Sequence, residues 1–354
     1  MLLSLARFVG IGPFDDLTIP FADDEGHPRR LVVLFGGEGV GKTSICNALA
    51  STRPGHTSAL TMAKQRNPIP PFAVADWMLG DDDPARPHPL RVASPNAVLD
   101  EREDTAIMRR REQTLFDRRA AEGGFVFVAF SGARWFSKMP VLLTTPDRSI
   151  LRYDVRASAN FDDATRADLT RETKQVLSFV SIANALCRRT GGEAIPGPAE
   201  RFASLEHNVR EVLDTLLGVV GCRYAGVDPT RLEPLFQNSE ERLVELEELP
   251  KSARHLCAFG VLTLRALSAA YPNKNAAEAE GVVLIDDVEV HLESGIERHI
   301  AHLLHSALPR VQWILTTSSP RVTLGCDVHE VLALRRAGSS GRVVLHEGTS
   351  AIVH

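Results

Sequence analysis

The residues that most constrain this chain are LVVLFGGEGVGKTS, positions 31–44. A short apolar run reads as a buried strand, it ends in glycines, and a helical pattern begins at residue 42. Gly36, Gly41, Lys42 and Thr43 satisfy the spacing G-x-x-x-x-G-K-[ST]. Glycines at these places let consecutive backbone N–H groups turn inward around a β-phosphate, and the following helix aims its positive end at the same point. The binding loop is therefore assigned to Gly36, Gly37, Glu38, Gly39, Val40, Gly41, Lys42, Thr43 and Ser44. Lys42 reaches the β- and γ-oxygens, and the Thr43 hydroxyl ligates Mg²⁺.

A second element supplies acid. In GVVLIDDVEVHL (281–292) a run of apolar residues ends in paired aspartates, the Walker B pattern. Asp286, at the strand's end, is expected to hold Mg²⁺, and Asp287 stands where a general base can polarise an attacking water.

Strand–helix–strand alternation at both ends of the chain predicts an α/β fold with a parallel sheet. The elements read from the pattern include two strands around a Gly10–Pro13 turn, strands at 31–35, 72–79, 125–130, 148–156, 282–286 and 312–317, and a closing pair near 328–334 and 342–346. Helices are read at 42–50, 99–122, 161–190, 199–217, 252–270 and 294–307. The two ends build one core, 1–55 with 245–354, and 56–244 is a β/helical lobe inserted into it.

Composition narrows the function classes. The chain has 354 residues and is 44% hydrophobic and 24% charged, a globular mixture. A formal charge of −5 speaks against a whole surface built for nucleic acid and leaves room for a local basic patch. Five scattered cysteines without a CxxC pair predict neither a disulfide scaffold nor a zinc site, which fits a reducing compartment. No stretch approaches ~18 uninterrupted apolar residues, so a membrane span is not expected and the reading is cytoplasmic.

Beyond the two motifs, IDDVEVHLE resembles the "IDEPExHLHP" element of ABC-type ATPases in the RecF, SMC-like and OLD group, which includes stand-alone AAA ATPases of bacterial defence systems. Asp286 matches the Walker B Asp, Asp287 the catalytic Glu, and Glu289, His291 and Leu292 the residues that follow. The opening LARFVGIGPFDDLTIPF is similar to that group's first strands, and QWILTTSSP (312–320) to its switch strand. The resemblance implies a P-loop NTPase with an ABC-ATPase-like head, N-terminal antiparallel strands and an inserted helical lobe. It also implies ATP and Mg²⁺ as cofactors, and a homodimer that sandwiches ATP between its nucleotide faces.

Three positions depart from the group. Asp287 replaces Glu and withdraws the carboxylate by one methylene. Ser318 stands where the switch His is expected. LPKSARHL (249–256) displaces the signature "L-S-x-G-E", with Ser252 at the Gly position and Ala253 at the Glu position. Ser252 can still cap its helix, and Lys251 or Arg254 can meet a phosphate across the dimer. Together these changes predict slow hydrolysis, or ATP used mainly as a clamp.

Other residues carry weaker signals. Gln65 reads as an exposed loop residue ahead of a metal-contacting one. RRREQTLFDRRA (109–120) with Arg134 and Arg156 is a candidate basic face for nucleic acid, though its interleaved acids favour a solvated helix. His299, His302 and His305 have helical spacing but lack carboxylates at fitting positions. The helices at 161–217 are too short for SMC arms, and the roughly 35 residues after the switch strand are too few for a fused nuclease domain. A nuclease or effector is thus expected on a separate chain. Two functions follow: an ATP-dependent switch ATPase in DNA maintenance or antiviral defence, or a nucleotide-bound scaffold with little hydrolysis.

Overall fold

The computed structural model describes residues 1–57, 70–119, 123–146, 150–155, 167–189, 198–338 and 341–348. Its centre is a six-stranded sheet in the order Arg342–His346, Val331–Ala337, Leu31–Phe35, Val311–Thr317, Gly281–Ile285, Phe127–Phe130. All neighbouring strands are parallel except the Arg342–His346 edge. The inner strands LVVLF, GVVLI and VQWILTT are buried almost throughout, as parallel strands covered on both faces require. A nucleotide-binding crevice is expected at the carboxyl ends of such strands, and Gly36, Asp286 and Ser318 follow directly after three of them.

One face of this sheet carries the Lys42–Ser51 helix and an antiparallel sheet in the order Asp16–Pro20, Leu2–Val9, Phe72–Met78, Leu90–Ala93. Gln312, fully buried in the central sheet, ties the two layers. Its amide oxygen accepts the Leu3 N–H at 2.6 Å, and its amide nitrogen donates to Leu3 and Arg29 carbonyls at 2.9 and 2.8 Å. The opposite face is covered by the helices Thr170–Arg189, Pro198–Gly218 and Lys251–Ala270, which share one apolar core with the sheet.

A small sheet of Arg223–Val227, Pro234–Gln237 and Leu243–Glu245 rests on the first two of these helices. The buried Lys174 ammonium fastens it there, 2.9 Å from Glu233 and 2.5 Å from Glu247. An ammonium in so dry a position needs such partners, because an unpaired one costs several kcal/mol.

The chain departs from its sequence reading in four places. Strands from within 56–244 are built into the core: Phe72–Met78 pairs with Leu2–Val9, and Phe127–Phe130 with the acidic strand. Residues 150–155 form turn and coil, not a strand. The expected 294–307 helix is broken at Arg298–His299 into Ser294–Glu297 and Ile300–Ala307. The short strands at 90–93, 223–227, 234–237 and 243–245 carry too few alternating residues to be read from pattern alone.

Gly260 sets how closely the helices can cross. A Cβ at this position would lie 2.7 Å from Leu216 and 2.8 Å from Val212. Gly260→Leu is expected to lower the unfolding free energy by about 1–3 kcal/mol through overpacking, read as a lower urea midpoint with unchanged slope.

Candidate nucleotide site

The loop after Leu31–Phe35 has the shape its glycines permit. Gly39 and Gly41 have φ of 71° and 95°, left-handed values that side chains resist. A Cβ on Gly41 would also strike Phe14 and Pro13 at 2.5–2.7 Å, so the Gly10–Pro13 turn packs directly on the phosphate loop. The Lys42–Ser51 helix starts at once, with Gly41 as its N-cap. Lys42 folds back over the loop, its Nζ donating to the Gly36 and Gly37 carbonyls at 2.9 and 3.2 Å, 4.0 Å from Asp287. The loop opens on a cleft of about 680 Å³, lined among others by Glu38, Thr43, Ser44, Asp287, Ser318 and Arg336.

The acidic pair meets this loop. Asp286 is buried and accepts the Thr43 hydroxyl on Oδ2 at 2.7 Å and the Thr316 hydroxyl on Oδ1 at 2.6 Å. Thr316 also accepts the Asp287 N–H at 2.8 Å, so one buried hydroxyl fixes both acids. Asp287 has a left-handed φ of 44°, and its carboxyl is held above the usual carboxylate range by burial first and by the Asp286 charge second. A hydroxyl and a carboxylate in contact at the mouth of a phosphate loop are hard oxygen donors that fit Mg²⁺, which keeps waters and phosphates as its remaining ligands. Thr43 and Asp286 are the residues that would hold it.

The switch position is tethered. The Ser318 N–H and hydroxyl both donate to Glu289 at 2.8 Å. His291 (φ 72°) lies stacked on His255, ring centroids 4.7 Å apart. Burial pushes the His255 imidazole down to about 3, and its Nδ1 faces the Lys251 carbonyl at 2.7 Å.

Other expected residues fall elsewhere. Ser252 is 1% exposed, its hydroxyl 3.5 Å from Glu293, and it does not line the cleft. It does not cap its helix either, because the helix begins one residue earlier with Pro250 at the N-cap. Lys251 beside it is exposed. Arg134 belongs to no basic face: it is 1% exposed and bonded to main-chain carbonyls around the acidic pair. Arg110, Arg111 and Arg118 are exposed on their helix, while Arg109 is paired with Glu101. Gln65 and Arg156 lie outside the described residues. His302 faces Glu330 at 3.4 Å.

Sequence reasoning missed Thr316, Gly132 and Arg336, and gave Arg134 a place on a basic face instead of beside the acids. Gly132 follows the edge strand Phe127–Phe130, and a Cβ there would lie 3.1 Å from the Asp287 carboxylate. Arg336 donates to the Gly39 carbonyl at 2.7 Å. Only Thr316 had a signal, a hydroxyl at the end of an otherwise apolar strand.

No protein-family model matches the sequence. Solved structures do. The chain aligns over 98% of its length with 98% of an SMC head bound to the C-winged helix domain of ScpA, at 14% identity and a TM-score of 0.53. It aligns over 98% with 96% of an SMC head domain with an extended coiled coil, bound to the C-terminal domain of ScpA derived from Pyrococcus furiosus, at 14% identity and a TM-score of 0.50.

The fold is that of an ABC-type SMC head. In this chain the strand before the glycine loop, the strand that carries Thr316 and the acidic strand lie side by side, in the order Leu31–Phe35, Val311–Thr317, Gly281–Ile285. Thr316 sits on the middle strand, between the loop and the acids. Thr316→Val is expected to lower Mg²⁺ affinity in the presence of ATP about 10- to 100-fold, measured by calorimetric titration, with the fold retained.

Proposed function

We propose that this protein binds Mg²⁺ and ATP at the Gly36–Ser44 loop and hydrolyses ATP slowly, as a switch. The contact of Thr43 with Asp286, braced by Thr316, carries this reading, because it joins a phosphate-binding loop to a metal-binding acid at one point. Lys42, now held on the Gly36 and Gly37 carbonyls, would turn to the β- and γ-phosphates. Asp287 would take the proton of the attacking water, and its raised pKa makes it a better base than a free aspartate.

Slow turnover follows from the same residues. The shorter Asp287 carboxylate reaches less far than Glu, and misplacement by about an ångström costs on the order of 100-fold. The Ser318 hydroxyl is committed to Glu289 and offers no imidazole to a γ-phosphate.

The clamp is a homodimer closed over two nucleotides. With Ser252 turned inward, the exposed Lys251 at the start of the Lys251–Ala270 helix is the group that would reach the nucleotide of the other subunit. The SMC heads it resembles are bound to ScpA domains, and by analogy a separate effector or nuclease chain would read the closed state in DNA maintenance or antiviral defence, in the cytoplasm. Nucleic acid would meet the exposed arginines of Glu103–Arg119. The tethered Ser318 favours one alternative, a nucleotide-bound scaffold in which binding alone matters.

Two variants separate these readings. Lys42→Ala is expected to weaken ATP binding about 100-fold and abolish dimerisation on ATP, seen by size exclusion. Asp287→Asn should keep ATP affinity and dimerisation and lower turnover about 100-fold. A wild-type chain that stays monomeric with ATP contradicts the clamp, and one with no turnover at all leaves the scaffold.

A further inference from the structure

The turn that follows the acidic strand is an unfavourable one. Asp287 and His291 both lie in left-handed backbone, with φ of 44° and 72°, a conformation that a residue with a side chain resists. Its internal bonds are sparse, Val290 N–H to the Asp287 carbonyl at 3.1 Å and Leu292 N–H to Glu289 at 2.9 Å. Thr316 holds its start, accepting the Asp287 N–H on its hydroxyl and the Val288 N–H on its carbonyl, and a second group covers the turn's own carbonyls. That group is the Arg134 guanidinium, 1% exposed and lying over the Phe259 ring at 5.2 Å.

Its Nη1 donates to the Asp286 carbonyl at 2.7 Å and to Ser131 at 3.1 Å. Its Nη2 donates to the carbonyls of Asp287 at 3.0 Å, Val290 at 3.1 Å and Val288 at 3.3 Å. These bonds all end on main-chain oxygens, and four of them fall on the turn that carries the base. Burying a cation this deeply is expensive, and a planar fork is the only cationic side chain whose donors span so many carbonyls.

We propose that Arg134 is the positioning residue for Asp287. It acts through two paths, and this inference rests on the reading of Asp287 as the base. The fork fixes the main chain from Asp286 to Val290 and so fixes where the Asp287 carboxylate leaves the backbone. The same fork holds its own loop, Ser131–Arg134, against the acids, so that Gly132 walls the carboxylate on one side. Lys42, 4.0 Å away, stands across from it. Arg134 touches neither the phosphate loop nor the cleft, so it sets the base without contributing to nucleotide binding.

The test compares the full-length wild type with Arg134→Lys, Gly132→Ala, Asp287→Asn and the Arg134→Lys/Asp287→Asn double variant, each checked by thermal melting. Lysine keeps the charge and loses the fork. Arg134→Lys is expected to lower kcat about 10- to 100-fold while the ATP dissociation constant stays within about threefold. Gly132→Ala crowds the carboxylate from the other path and should also lower kcat with affinity kept, which preserves the test if the arginine variant does not fold. On the Asp287→Asn background Arg134→Lys should cost less than about twofold, because both act through one group.

Wild-type kcat in Arg134→Lys, loss of ATP affinity in step with kcat, or additive losses in the double variant would each overturn the assignment. Failure of the underlying reading looks different. A wild type that binds Mg²⁺·ATP without turnover, or an Asp287→Asn that turns over like the wild type, contradicts Asp287 as base whatever Arg134 does.

Discussion

The Asp286 carboxylate, gripped by one hydroxyl from the first turn of a helix and one from the end of a neighbouring strand, is the contact on which the rest of this molecule depends. One hydroxyl, Thr43, opens the helix after the phosphate loop, and the other, Thr316, ends the neighbouring switch strand. The grip requires that three parallel strands finish at the same level. Their registers provide this, with Leu34 opposite Thr316 and Ile285 opposite Leu315. A slip of one residue in either pairing would turn Thr316 to the wrong face, since side chains alternate along a strand. The buried apolar runs on both sides of the sheet are what forbid that slip, so the chemistry is aligned by packing far from it.

Around this point the protein spends polar groups on holding backbone in place. Thr316 accepts the Asp287 N–H, Arg134 covers the carbonyls beyond it, and Glu289 holds Ser318. Each fixes a main-chain segment that propensity alone would leave to vary.

How much was legible follows from how local each signal is. The glycine loop and the acidic pair are each written in consecutive residues, and the fold brings Thr43 into contact with Asp286. The α/β class and most of the long helices follow from period alone. Arg134 was misread because its partners lie about 150 residues away in the chain, and an arginine near other arginines resembles a surface patch until its burial is seen. Ser252 was assigned to a cap because a helix boundary carries an error of a residue or two. Here one residue turned the hydroxyl from a terminus into the interior. The lobe boundary departs from the structure for a topological reason: the strands at 72–78 and 127–130 are readable as strands, and only their pairing with distant partners shows that they join the core sheets.

The proposed function requires one divalent ion held between Asp286, Thr43 and the phosphates of ATP. Electron paramagnetic resonance with Mn²⁺ in place of Mg²⁺ tests this directly. The expected result is one tightly held Mn²⁺ per chain that requires ATP, shows phosphorus hyperfine coupling, and is lost in Asp286→Asn. Manganese that binds equally well without ATP, or that is indifferent to Asp286→Asn, would contradict it.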